Sequence, residues 1–61
     1  MIPDKDYEMV EAMEKYGGSF VKCLATLLHH ADIINYLKLE SIFPEYFKQY
    51  KEMAERISKN K

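Results

Sequence analysis

The sequence predicts an all-α fold, a single compact bundle of four short helices over residues 1–61. Apolar residues recur at the three- and four-residue spacing of amphipathic helices along most of the chain. Gly17-Gly18, Asp32 and Phe43-Pro44 divide this pattern into four helical segments. The β-branched pair Ile33-Ile34 lacks the alternating flanks, the turn signals and the partner strand that a β-strand needs.

The first helix is predicted over residues 4–16. Pro3 followed by Asp4 and Asp6 is typical of a helix start, because acidic residues in the first turn interact favourably with the helix dipole. Gly17 is predicted to end this helix in the left-handed conformation that glycine adopts readily. Its apolar side chains at helical spacing are Tyr7, Val10, Ala12 and Met13.

The second helix is predicted over residues 19–31, with Ser19 as its N-cap. Its apolar stripe consists of Phe20, Leu24, Leu27, Leu28 and Ala31, widened by Val21 and Ala25. A helix that is apolar around so much of its circumference is usually central to a fold. We therefore expect this helix to be the most buried element.

The third helix is predicted over residues 33–42, with Asp32 as its N-cap. Its inner face carries Tyr36, Leu39 and Phe43, and Ile33, Leu37 and Ile42 lie beside that face.

The fourth helix is predicted over residues 45–58, with Pro44 and Glu45 at its first turn. Its amphipathic stripe consists of Tyr46, Phe47, Tyr50, Met53, Ala54 and Ile57. The pairs Lys51–Glu55 and Glu52–Arg56 have the i, i+4 spacing of weakly stabilising ion pairs.

Small size favours a homodimer. A domain of 61 residues buries little apolar surface, and such domains often depend on disulfides, metals or oligomerisation. Cys23 is the only cysteine, which excludes an intrachain disulfide and is typical of a reducing compartment. No signal segment opens the chain and no apolar run approaches 18 residues. We therefore expect a cytoplasmic protein that forms a homodimer and has no membrane contact.

The charge is distributed unevenly along the chain. Residues 1–18 carry five acidic and two basic residues, a net charge of −3, and residues 44–61 carry three acidic and five basic residues, a net charge of +2. Attraction between the two segments is predicted within one chain or between two. The alternative is a pair of solvated helix faces, because exposed ion pairs contribute little.

No catalytic, cofactor or metal site is predicted. His29 and His30 are adjacent, so on a helix they point about 100° apart and cannot both bind one ion without ligands from another element. We expect both to be partly exposed at the C-terminal end of the second helix. Cys23 has no activating signature and is predicted to be a buried or half-buried packing residue. The chain is therefore predicted not to be an enzyme.

Protein interaction is the leading functional hypothesis. Five tyrosines are many for so small a core, and tyrosine is enriched at interfaces. The candidate surface, for a second copy or a protein partner, consists of Tyr36, Tyr46, Tyr50, Lys48, Lys51 and Arg56. A core position is the alternative for each tyrosine.

Nucleic-acid binding is the second hypothesis, because the second and third helices are joined by a short turn as in a helix-turn-helix module. The would-be recognition helix carries only Lys38 as a basic residue, and the chain has a net charge of −1. DNA-binding modules normally show a basic footprint.

Three motifs resemble those of small uncharacterised proteins of phages, prophages and mobile elements. They are the YGGSFVK-like helix entry at residues 16–22, the helix end at Ala31-Asp32 and the junction at residues 43–46. The resemblance covers about residues 14–50. It implies an accessory or anti-defence protein that binds a host protein, and it assigns no activity and no site residue.

Overall fold

Four helices follow one another in the predicted order. The computed structural model describes residues 2–59, apart from the side chain of Lys59. A 3-10 turn, Asp4–Asp6, leads into α1 (Tyr7–Tyr16), and α2 (Ser19–His30), α3 (Ile33–Ile42) and α4 (Pro44–Lys59) follow. Residues 2–59 contain no strand, and the predicted all-α fold is confirmed.

The central element is α1. It packs against both α2 and α4, and the 3-10 turn lies against its start. Its buried side chains are Met9, Val10, Ala12 and Met13. The prediction that the second helix is the most buried is wrong, because α1 covers only one side of α2. Phe20 and Leu27 belong to the apolar stripe that was predicted to be buried, but they are 56% and 51% exposed.

Two predictions at the junction of α1 and α2 are wrong. Gly17 has an extended backbone (φ −76°, ψ 155°) instead of a left-handed one. Ser19 is the first residue of α2, Gly18 is its N-cap, and no side chain caps the helix. Glycine is needed at position 17 for space, because an added Cβ would lie 2.5 Å from the Met13 carbonyl oxygen and 2.6 Å from Val21 Cγ1.

The starts of α3 and α4 match their predictions. Asp32 is the N-cap of α3, and its carboxylate accepts a hydrogen bond from the backbone N–H of Asn35 at 2.8 Å. Pro44 is the first residue of α4, followed by Glu45 in the first turn. The predicted stripe of α4 faces the core, with Phe47, Tyr50 and Ala54 buried and Tyr46, Met53 and Ile57 half-buried.

The charges of α4 pair differently from the prediction. Lys51 does not pair with Glu55; its ammonium lies 3.4 Å from a Glu40 carboxylate oxygen and 3.8 Å from an Asp6 carboxylate oxygen. No ion pair joins Glu52 to Arg56 in the described part of the chain. The Ser58 hydroxyl also donates to Glu8 at 2.7 Å. One ion pair, Lys51–Asp6, and one hydrogen bond, Ser58–Glu8, therefore join the last segment to the first within one chain.

Candidate interaction surface

Two of the predicted interface tyrosines lie in the core. Tyr36 is 1% exposed and Tyr50 is 6% exposed, so their prediction as surface residues is wrong. The ring of Tyr36 packs edge-on against Phe47, with centroids 5.7 Å apart. Its hydroxyl donates a hydrogen bond to a buried carboxylate. The polar end of the side chain therefore does not need water as a partner.

The other four predicted residues are a half-buried tyrosine and three cations that share their side of α4 with carboxylates. Tyr46 is half-buried against Phe20, with ring centroids 5.6 Å apart. Lys48 and Lys51 line the same depression beside Pro44, but Glu40 and Glu52 line it too. Arg56 is exposed on the same helix. Lys48 and Lys51 are therefore interleaved with carboxylates, and the described side chains of α4 form no basic footprint.

A buried acidic residue joins three elements of the fold. Asp6, on the 3-10 turn, is 2% exposed. One of its carboxylate oxygens accepts a hydrogen bond of 2.7 Å from the Tyr36 hydroxyl on α3, and the other lies 3.8 Å from the Lys51 ammonium on α4. We call Asp6, Tyr36, Glu40 and Lys51 the Asp6 cluster.

The Asp6 cluster is suited to holding helices together. Burial raises the pKa of the Tyr36 hydroxyl far above its usual value, and the hydrogen bond to Asp6 and the negative charges of Asp6 and Glu40 add to this effect. The hydroxyl therefore stays protonated and keeps donating to Asp6. Sequence reasoning placed Asp6 in the first turn of the first helix and missed this contact, which spans 30 residues.

The histidines lie where they were predicted. Both are exposed in the last turn of α2, and His29 Nε2 lies 2.8 Å from a Glu14 carboxylate oxygen on α1. Cys23 is exposed, so its predicted packing role is wrong. It occupies the side of α2 that points away from Leu24 and Leu28. Residues 2–59 contain no group of three His, Cys, Asp or Glu side chains placed to hold a metal ion.

The outer side of α3 is an exposed apolar face. Only Tyr36 is fully buried on this helix, which packs mainly against α4. Four large apolar side chains are 46–64% exposed: Ile33, Ile34, Leu37 and Ile42. They span about half of the helix circumference, with the exposed Lys38 and Ser41 among them. We call these four apolar residues the α3 face. Such a helix, apolar on its inner and outer sides, is normally buried all round.

A groove continues the α3 face onto α2. It has a volume of about 350 Å³ and lies between the two helices. Its apolar lining consists of Leu27, Ala31, Leu39 and Ile42, and its polar lining consists of His30, Asn35 and Lys38. Phe20 lies two helical turns before Leu27 on the same side of α2. We call the α3 face together with Phe20 and Leu27 the apolar surface.

Sequence reasoning treated five of these six residues as part of the helices' packing and assigned Ile34 to no face. The signal that was available is the composition of α3, in which Lys38, Glu40 and the uncharged Asn35 and Ser41 are the only polar side chains, besides the Tyr36 hydroxyl. A helix of ten residues with so few polar side chains needs cover on more than one side. In the described part of the chain, other helices bury α3 only on the side that carries Tyr36 and Leu39.

Comparison of this chain with protein-family models, with curated proteins and with solved structures finds no match in any of the three. Among residues 2–59, the helices are too short or too polar for any of them to cross a lipid bilayer.

Proposed function

We propose that the protein is a non-enzymatic protein-interaction module that binds its partner through the apolar surface. A single observation carries the proposal. Six large apolar side chains on two neighbouring helices are 46–64% exposed. Exposed apolar patches of this kind mark binding sites in soluble proteins.

The size of the apolar surface supports binding. At roughly 180 Å² for a fully exposed large side chain, the six residues expose on the order of 600 Å². The largest patch on a typical monomer is about 300–600 Å². The summed exposed area of the six residues therefore lies at the upper end of the range for a single patch.

Nucleic-acid binding has weaker support. In the helix-turn-helix reading, α3 is the recognition helix, and its exposed side carries Ile33, Ile34 and Leu37 with one cation, Lys38. Such a face offers a polyanion little electrostatic attraction. The lysines of α4 share their surface with Glu40 and Glu52. That the partner is a host protein, as the resemblance to phage and mobile-element proteins implies, stays a prediction.

The proposal predicts site-specific capture of a protein in cells. A photoreactive phenylalanine analogue is placed at Leu37, in the apolar surface, or at Lys48, on the exposed side of α4. Illumination of cells that produce the protein should yield a covalent protein adduct from position 37 and none from position 48. Gel mobility and mass spectrometry identify the adduct.

Ile34→Asp provides the control for this capture. It lies one helical turn from Leu37 and should suppress the adduct, because a carboxylate in an apolar interface is costly to desolvate. Equal adduct yields from positions 37 and 48, or no adduct from position 37, would show that the apolar surface is not a binding site.

A further inference from the structure

We infer that the groove between α2 and α3 binds an acidic segment of a partner protein, whose apolar side chains enter the groove while a carboxylate meets Lys38 and His30 at its edge. This inference rests on the proposed function, because it names the chemistry of the partner at one part of the apolar surface. Three features of the groove carry it: the way the two helices form it, its volume and the charges at its edge.

The groove exists because α2 and α3 are joined at both ends and pack mainly against other helices. Ala31-Asp32 links the end of α2 to the start of α3. At the other end, the rings of Phe20 and Phe43 lie edge to face, with centroids 5.8 Å apart. The two helices therefore run in roughly opposite directions. Since α2 packs mainly on α1 and α3 packs mainly on α4, an open space remains between them.

Each helix presents a single side to the groove. The lining residues on each helix have the three- and four-residue spacing of one helix face, and they include Leu27 and His30 on α2 and Asn35, Lys38 and Ile42 on α3. The groove is thus one concave surface with two exposed apolar walls, Leu27 and Ile42. Its volume of about 350 Å³ is at the lower end of the range for ligand sites, which suits a few side chains and not a whole helix.

The edge of the groove is basic. Lys38 and His30 line it, both are exposed, and no carboxylate belongs to its lining. The acidic residues that flank this part of the chain make other contacts, since Asp32 caps α3 and Glu40 pairs with Lys51. Neither Lys38 nor His30 forms an ion pair within residues 2–59.

Charge complementarity therefore selects an acidic partner. A carboxylate would accept a charge-assisted hydrogen bond from the Lys38 ammonium. The imidazole of His30 has an N–H that can donate to a carboxylate whether or not the ring is charged. A basic segment would be repelled by Lys38.

An acidic protein segment fits the groove better than a nucleic acid does. A phosphate group could also pair with Lys38, but a phosphate backbone has no apolar group to place between Leu27 and Ile42. Large apolar side chains next to an Asp or Glu satisfy both the walls and the edge. The partner segment is thus defined by two chemical requirements at once.

Selection from a peptide display library on the immobilised full chain tests the inference. The selected peptides should combine a few large apolar residues with a neighbouring Asp or Glu. The same selection on Lys38→Glu should replace these acidic residues by Lys or Arg, because the reversed charge inverts the preference. Lys48→Glu makes the same charge change on the exposed side of α4 and should retain the acidic preference.

Fluorescence anisotropy of a selected acidic peptide measures the effect. Lys38→Glu should weaken binding by about 10-fold or more, since it places like charges together. The matched Lys48→Glu variant should bind almost as wild type does. Leu27→Asp should abolish binding, because a carboxylate in an apolar contact is costly to desolvate. All three positions are exposed, so circular dichroism of each variant should show unchanged helix content.

Four results would overturn the inference. The first is the selection of neutral or basic peptides by the wild-type chain, and the second is an equal loss of affinity in Lys38→Glu and Lys48→Glu. The third is a dimer in sedimentation that Leu27→Asp dissociates, since a second copy would then occupy the groove. The fourth is binding of a single-stranded oligonucleotide that Lys38→Glu abolishes.

Capture in cells separates this inference from the proposed function. If no acidic peptide is selected while position 37 still captures a protein, the chemistry assigned to the groove is wrong and the proposed function stands. If position 37 captures nothing as well, both are wrong.

Discussion

Replacement of Tyr36 by alanine is expected to unfold the protein at 25 °C. The ring is 1% exposed and packs against Phe47, and truncation of a buried aromatic side chain costs about 3–5 kcal/mol. The loss of the hydroxyl leaves the buried Asp6 carboxylate without its hydrogen bond, which costs a further 1–3 kcal/mol or so. A chain of this length has a total stability of about 3–9 kcal/mol. Loss of the cooperative urea transition, followed by circular dichroism, is the expected readout.

Tyr36→Phe separates the hydrogen bond from the ring. It retains the packing against Phe47 and should lower the free energy of unfolding by about 1–3 kcal/mol. In combination with Asp6→Ala, the two losses should be non-additive by about 1 kcal/mol or more, since each substitution removes the same bond. Tyr36→Phe with wild-type stability would mean that the Tyr36–Asp6 hydrogen bond contributes nothing to the fold.

Gly17→Ala is expected to give the second large loss of stability. The added methyl group would lie 2.5 Å from the Met13 carbonyl oxygen and within 3 Å of two carbon atoms of Val21. The carbonyl belongs to the backbone and Val21 is buried, so neither yields without disturbing the packing of α1 on α2. Overpacking of this kind typically costs about 1–3 kcal/mol. For a domain of this size, that corresponds to a loss in Tm of roughly 5–20 °C.

Gly18→Ala is the matched control for Gly17→Ala. No atom lies within 4 Å of a Cβ added at position 18, and the backbone there is extended. The change in Tm should therefore be small, limited to the modest preference for glycine over alanine at an N-cap. Equal Tm losses at the two positions would contradict the steric account.

The helix positions were predictable because their signals are local. Asp32 caps α3 through a hydrogen bond to a residue three positions later, and Pro44 begins α4 with a backbone that has no N–H to satisfy. The prediction of a left-handed conformation at Gly17 was wrong, although α1 does end just before this residue. Glycine is required at that position for close approach to Val21, a contact that no composition rule reveals.

Which side of each helix is buried could not be predicted, because burial depends on packing against elements that are distant in the sequence. An apolar stripe on α2 predicted burial of Phe20 and Leu27, yet α1 packs on the other side of that helix. Tyr36 looked like an interface residue because its partner, Asp6, lies 30 residues earlier. The candidate surface supported by the structure is therefore the apolar surface on α2 and α3, and not the predicted set of Tyr36 with the tyrosines and cations of α4.

Thermal unfolding of Leu37→Asp beside wild type, over a range of protein concentrations, tests most directly whether the α3 face serves binding and not folding. The Tm of Leu37→Asp should equal the wild-type value at the lowest concentration, where any association is weakest. A Leu37→Asp protein that is unfolded, or that melts far below wild type at every concentration, would contradict this account by showing that the α3 face belongs to the folding core.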